Sequence, residues 1–222
     1  MLTLFIAASF LSAFLLFSVE PLFAKMVLPV LGGSPSVWAV ALCFFQAALL
    51  AGYAYAYVLM RYVPASWTGF VQIAVALAAL LVLPIGLPSG WTEPPPGEPY
   101  FWQLGLFTVA VGLPFVAVAA NAPLLQAWFA SSGHPHARDP YFLYGASNFG
   151  SLIALLGFPF LFEPALGLRA MSRDWTALYD EVDIAQVLQT CRDSTVCLNS
   201  LLKGGEPPAD HSLVHQWRDL HG

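Results

Sequence analysis

Long runs without a formal charge set the first constraint on this chain. From Met26 to Met60 there is no Asp, Glu, Lys or Arg, and comparable runs follow Arg61 and Asp139. A chain of 222 residues cannot hide all of these runs inside one water-soluble globule, whereas about 20 consecutive apolar residues are what a helix needs to cross hydrocarbon. Composition agrees: 58% of the residues are hydrophobic and 9% charged, with a mean hydropathy of +0.69. The solvent for most of the chain is therefore expected to be lipid.

Charge also draws a boundary. Residues 1–169 carry nine charges, and residues 170–222 carry twelve in less than a third of the length. The pattern predicts a transmembrane helical module over 1–169 followed by a polar, partly helical tail over 170–222. No basic cluster marks a nucleic-acid or anionic-lipid surface, so nucleic acid is not an expected partner. The expected location is the cell (inner) membrane, crossed several times.

Five segments are long and apolar enough to be read as spans: 2–24, 36–59, 67–88, 101–129 and 141–163. The first lacks the basic flank and small-residue cleavage site of a secretory signal and is read as a retained span. The loop "PSGWTEPPPGEPY" carries only acidic charge and interfacial aromatics, and it reads as exposed. Orientation is nearly balanced. Lys25, Arg169 and Arg173 fall on one side of the membrane and Arg61 and Arg138 on the other, and three against two gives the positive-inside rule little to act on.

The chain also carries an internal echo. "PSVWAVALCFFQAALLAGY" aligns with "PYFLYGASNFGSLIALLGF" at a shift of 105 residues, matching Pro35 with Pro140, Ala41 with Ala146, Phe44 with Phe149, Leu50 with Leu155 and Gly52 with Gly157. A shift of 102 pairs Pro21-Leu22 with Pro123-Leu124. Apolar spans share residues by chance, but the prolines and glycines sit at corresponding ends of their helices. The pattern suggests a three-helix unit restarted at the fourth span, a construction common in secondary transporters, with a sixth span missing.

The strings "FLSAFLLFSVEPLFAKMVLPVLGGSPSVWAVALCFFQAALLAGYAYA" and "DPYFLYGASNFGSLIALLGFPFLFEPALGLRAMSR" resemble the membrane domain of the fused major facilitator and spermidine-synthase-like membrane proteins. The resemblance covers about residues 5 to 173. It implies an all-α, polytopic transmembrane bundle built on a major-facilitator-like repeat, followed by further spans and an aminopropyltransferase-like soluble domain. The chain departs from that plan after Arg173, where the sequence is too polar to span. No glycine-rich strand-to-helix turn for a nucleotide-like cofactor occurs there, so the aminopropyltransferase activity is not carried over and neither a cofactor nor an enzymatic role is expected. A native ending, a truncation and a frameshift all remain open for the tail.

The polar residues inside the spans are the functional candidates, because ionisable groups in hydrocarbon are costly and usually face a cavity or a partner. Glu20 comes first. It precedes Pro21, which frees the Phe17 carbonyl and favours a kink. Two readings stand side by side: a proton or cation partner in a site, or an interfacial group that pairs with Lys25 or snorkels to the headgroups. The motif recurs as "FEPALGLR", where Glu163 reads as interfacial. Gln46 and Tyr53 in the second span, Asn121 in the fourth, and Tyr144, Asn148 and Ser151 in the fifth complete the candidate set. Together with Glu20 they would line a path for a small cationic solute through hydrogen bonds and cation–π contact; singly, each also serves to hold helices together.

Elsewhere the signals are weaker. His134 and His136 read as solvated loop residues. Cys43 reads as a packing residue, and Cys191 and Cys197 match no strong metal spacing. In the tail, Leu178, Val182, Ala185, Val187 and Leu188 predict an amphipathic helix, with Asp174 as its cap, lying on the membrane or the bundle. Binding or transport of a small cation such as a polyamine is the leading functional expectation. The rival is a non-transporting membrane scaffold that docks a soluble enzyme or another copy of itself.

Overall fold

A computed structural model describes residues 2–182, apart from 92, 96–98, 133, 138 and 139. The described residues fold as helices joined by loops, with no strand among them. In chain order these are α1 (Leu2–Leu31), α2 (Pro35–Tyr62), α3 (Ala65–Ala79), α4 (Pro99–Phe107), α5 (Leu113–Ala130), α6 (Tyr141–Gly157), the single turn α7 (Glu163–Ala165) and α8 (Leu168–Tyr179). Wide π-helical turns at Thr108–Gly112 and Phe158–Phe162 make α4–α5 and α6–α7 continuous rods. Pro114 and Pro159 lie beside or within those turns, as expected where a proline removes a regular i→i−4 bond.

Four rods are long and apolar enough to cross a membrane: Leu2–Leu31, Pro35–Tyr62, Pro99–Ala130 and Tyr141–Ala165. They correspond to the first, second, fourth and fifth predicted spans. The third predicted span, 67–88, differs. Its α-helix ends at Ala79, and tight turns carry the chain to Leu83, with amides 80 to 83 donating three residues back instead of four. Pro84, Gly86 and Pro88 then follow in quick succession, so the backbone lacks both the donors and the stiffness to continue the helix.

The packing follows the suspected repeat. α1 lies chiefly against α6, and α2 chiefly against α5, so the first helix of each three-helix unit pairs with the second helix of the other. Each of these two seams is made possible by a glycine. A Cβ at Gly52 of α2 would stand 2.5 Å from the Ala119 Cβ of α5. One at Gly150 of α6 would collide with the Phe10 carbonyl of α1. Without a hydrophobic force between helices in lipid, such close backbone approach is what association rests on.

Around these seams the core is aromatic and aliphatic, with Phe23, Phe44, Phe45, Phe107 and Phe115 meeting mostly edge to face. A buried polar thread runs through it. Gln72 of α3 donates from Nε2 to the Asn121 Oδ1 (2.9 Å) and to the Ala117 carbonyl (3.0 Å), and Asn121 donates to the Ser12 hydroxyl (3.3 Å). This joins α3, α5 and α1 at groups that could not face lipid. Near the end of α5, the Trp128 indole donates to the Thr68 hydroxyl of α3.

α8 occupies the place in the chain where a sixth span would begin. Its inner face of Met171, Ser172, Trp175 and Tyr179 is buried, while Arg169, Arg173, Asp174, Ala177, Asp180 and Glu181 are exposed. Three polar atoms pin it. The Trp175 indole donates to the Leu15 carbonyl at 2.9 Å, the Ser172 hydroxyl to the Ile85 carbonyl at 2.5 Å, and the Tyr179 hydroxyl to the Ala76 carbonyl at 3.2 Å. α8 is thus an amphipathic helix lying on the bundle, and it overlaps only the first part of the one predicted for the tail. It starts earlier than expected: Asp174 sits in its second turn and is not its cap, the N-cap being Gly167. Leu178 is half-buried and Val182 buried, whereas Ala185, Val187, Leu188, Cys191 and Cys197 lie outside the described residues.

Candidate functional site

α1 is flanked on one side by α2 and α6, which do not close over it, and the gap between them is a groove of about 390 Å³. Its floor is the stretch of α1 around Pro21, where Glu20, Ala24 and Lys25 line it. Trp38, Leu42 and Phe45 of α2 form one wall. Leu155, Phe158 and Pro159 form the other, and Glu163 closes the end.

Three ionisable groups thus meet in one apolar cleft. The Lys25 ammonium pairs with the Glu163 carboxylate, 138 positions away in sequence. Both side chains keep about a third of their surface exposed (35% and 37%), which places the pair at the rim of the groove. Two carboxylates and one ammonium line the groove, and with Lys25 taken by Glu163, Glu20 is the acid there without a basic partner. The aromatic side chains of Trp38, Phe45 and Phe158 also line the groove. A carboxylate and ring faces in a water-poor cleft are the elements that hold an ammonium-type cation.

The other sequence candidates are not gathered at this groove. Asn121 is buried in the polar thread, where Gln72 and Ser12 occupy it. Gln46 is exposed on α2, one position past Phe45 and outside the wall, and Tyr53 is exposed two turns further along. Tyr144 and Asn148 are exposed on α6, and the Ser151 hydroxyl donates to the Asn148 carbonyl at 2.9 Å. Lys25 pairs with Glu163, so the pairing of Glu20 with Lys25 is not formed; the rest of the interfacial reading, snorkelling to headgroups, is unaffected.

The groove's second carboxylate was legible as the repeated acidic-proline-basic motif, "VEPLFAK" and "FEPALGLR", but the sequence did not reveal that the base of one copy pairs with the acid of the other. Parallel packing of α1 and α6 brings them to the same depth, as the neighbouring Phe10–Phe149 contact also requires. Trp38 and Phe158 carried no signal beyond their apolarity.

His134 packs near the Phe129 ring, and its Nδ1 accepts from the His136 amide at 3.2 Å. Among the described residues no group of three or more His, Cys, Asp or Glu side chains is placed to hold a metal ion. No family model, curated protein or solved structure matches this chain.

Proposed function

We propose that the groove floored by Glu20 binds a small organic cation, and that the protein carries or presents this cation at the membrane. The observation that supports the reading most is the excess carboxylate: Glu20 shares an apolar, aromatic-walled groove with an already paired Lys25 and Glu163. A carboxylate kept in such surroundings is favoured by a partner of opposite charge. Trp38, Phe45 and Phe158 would take the methylene and ammonium groups of an amine, and Glu20 would take its charge or exchange a proton for it. The resemblance to the membrane domain of spermidine-synthase-like proteins makes a polyamine the first ligand to test, and the inner membrane the expected location.

The test is uptake and equilibrium binding of labelled spermidine in proteoliposomes, comparing the native chain with Glu20→Gln. The substitution removes the acid while keeping shape. Binding by the native chain and its loss in the variant supports the proposal; equal behaviour of the two removes it. Binding without uptake would leave a membrane scaffold that presents the cation.

A further inference from the structure

We infer, resting on the cation-binding reading of the groove, that Glu163 is its second cation subsite, that Lys25 occupies this subsite until a ligand displaces it, and that the ligand is a dication: two ammonium groups joined by a flexible apolar chain.

The group already seated on Glu163 points to this chemistry. Lys25 is an alkyl chain ending in an ammonium, and it reaches the Glu163 carboxylate from the groove's own floor. A ligand amine would bring the same group to the same acid. The pair stands at the rim with both side chains partly exposed, where water screens an ion pair until it is worth little. An incoming ammonium can therefore replace Lys25 at small cost, and the displaced lysine can extend to water or headgroups from the same rim.

The spacing of the acids selects a two-headed ligand. Glu20 and Lys25 are five residues apart on α1, which sets them about 7.5 Å apart along the axis and about 140° apart around it. Both line the groove, so Lys25 and Glu163 lie toward the α6–α7 wall and Glu20 toward the α2 wall. By the same count Pro21 and Ala24 fall between them on the floor, and neither side chain has a polar atom. The order across the floor is acid, apolar strip, acid. A single ammonium uses one end of that order. A dication uses both, with its methylene chain laid over Pro21 and Ala24 between the rings of Phe45 and Phe158.

The volume agrees. The groove's 390 Å³ is far more than one ammonium fills, and it lies within the range of about 300–1,000 Å³ in which pockets enclose whole small molecules.

The experiment measures equilibrium binding of hexamethylenediamine and of aminohexanol to the purified full chain. The two ligands share their length and differ in the second ammonium. The native chain should bind the diamine roughly tenfold more tightly, because the second contact is made at the high effective concentration set by the connecting chain. Glu20→Gln should weaken both ligands. Lys25→Met, which removes the competitor for Glu163, should widen the diamine's advantage several-fold. Lys25→Met combined with Glu163→Gln, which leaves no stray lysine to pair with Glu20, should erase the advantage. Failure of the native chain to bind either ligand would remove the cation reading of the groove, and the second subsite with it. Aminohexanol binding that depends on Glu20, with no tighter binding of the diamine or with an advantage that survives the double variant, would overturn the second subsite alone. Should the double variant not fold, Lys25→Met decides by itself: an unchanged ratio of the two affinities overturns the inference.

Discussion

The Lys25 ammonium of α1 and the Glu163 carboxylate at the end of the α6–α7 rod, 138 positions apart, close one end of the groove that Glu20 floors. The pair ties the two rods that pack most closely in the bundle. Its partial exposure limits what it adds, because water and ions at the rim screen it.

Lys25→Met is accordingly expected to lower stability in detergent by only about 1 kcal/mol. It should also raise the affinity of the groove for a cation, since two carboxylates would then be uncompensated. The exchange Lys25→Glu with Glu163→Lys should recover native stability. Unfolding midpoints of the native chain and the two variants check this, and a loss of several kcal/mol from Lys25→Met alone would show that the pair is far less screened than its position implies.

Gly150→Ala tests the seam between α1 and α6. The added methyl collides with the Phe10 carbonyl, a backbone group that cannot swing away, and the expected cost is about 1–3 kcal/mol. Gly145→Ala, on the same helix with open space around the new methyl, should be neutral or slightly stabilising. Unfolding of both variants under matched detergent conditions separates packing from helix propensity.

Asn121→Leu removes the centre of the polar thread and leaves the Gln72 amide with only the Ala117 carbonyl of its two acceptors. Hydrogen bonds between helices in membranes average below 1 kcal/mol, so a loss of about 0.6–2 kcal/mol is expected. Cation binding at the groove should not change, because Asn121 is no part of its wall. A binding defect in a well-folded Asn121→Leu would move the site away from Glu20.

Trp175→Phe keeps the ring against the bundle but deletes the bond to the Leu15 carbonyl. Hydrogen exchange in α8 should speed up by about fivefold, corresponding to roughly 1 kcal/mol for one bond, while α1 and α5 stay protected. Equal acceleration throughout would mean that α8 is integral to the cooperative bundle.

Much of the fold could be read from the residues because hydrocarbon leaves so few options. The charge-free runs that end at Arg61 and Glu163 stop where two of the long helices, Pro35–Tyr62 and Tyr141–Ala165, also stop. The third span was overestimated because hydropathy counts Leu80 to Leu87 as apolar without weighing Pro84 and Gly86, which stop the helix. The candidate site was legible at Glu20 and, through the repeated acidic-proline-basic motif, at Glu163. Gln46, Tyr53, Tyr144 and Asn148 share helical stripes, but a stripe does not say which neighbour it faces. That depends on seams fixed by Gly52 and Gly150, contacts between helices far apart in sequence. The Lys25–Glu163 pair was hidden for the same reason.

The account rests on lipid covering the outer faces of α2 and α6. Cys43, exposed on the apolar face of α2, reports on this directly in a chain whose Cys191 and Cys197 are serine. In native membranes Cys43 should resist a membrane-impermeant maleimide, while Ser34→Cys, in the loop before α2, is labelled from the aqueous side it faces. A fluorophore placed at Cys43 should be quenched by nitroxide-labelled acyl chains. Rapid labelling of Cys43 by the impermeant reagent, with no quenching from the acyl chains, would contradict the account.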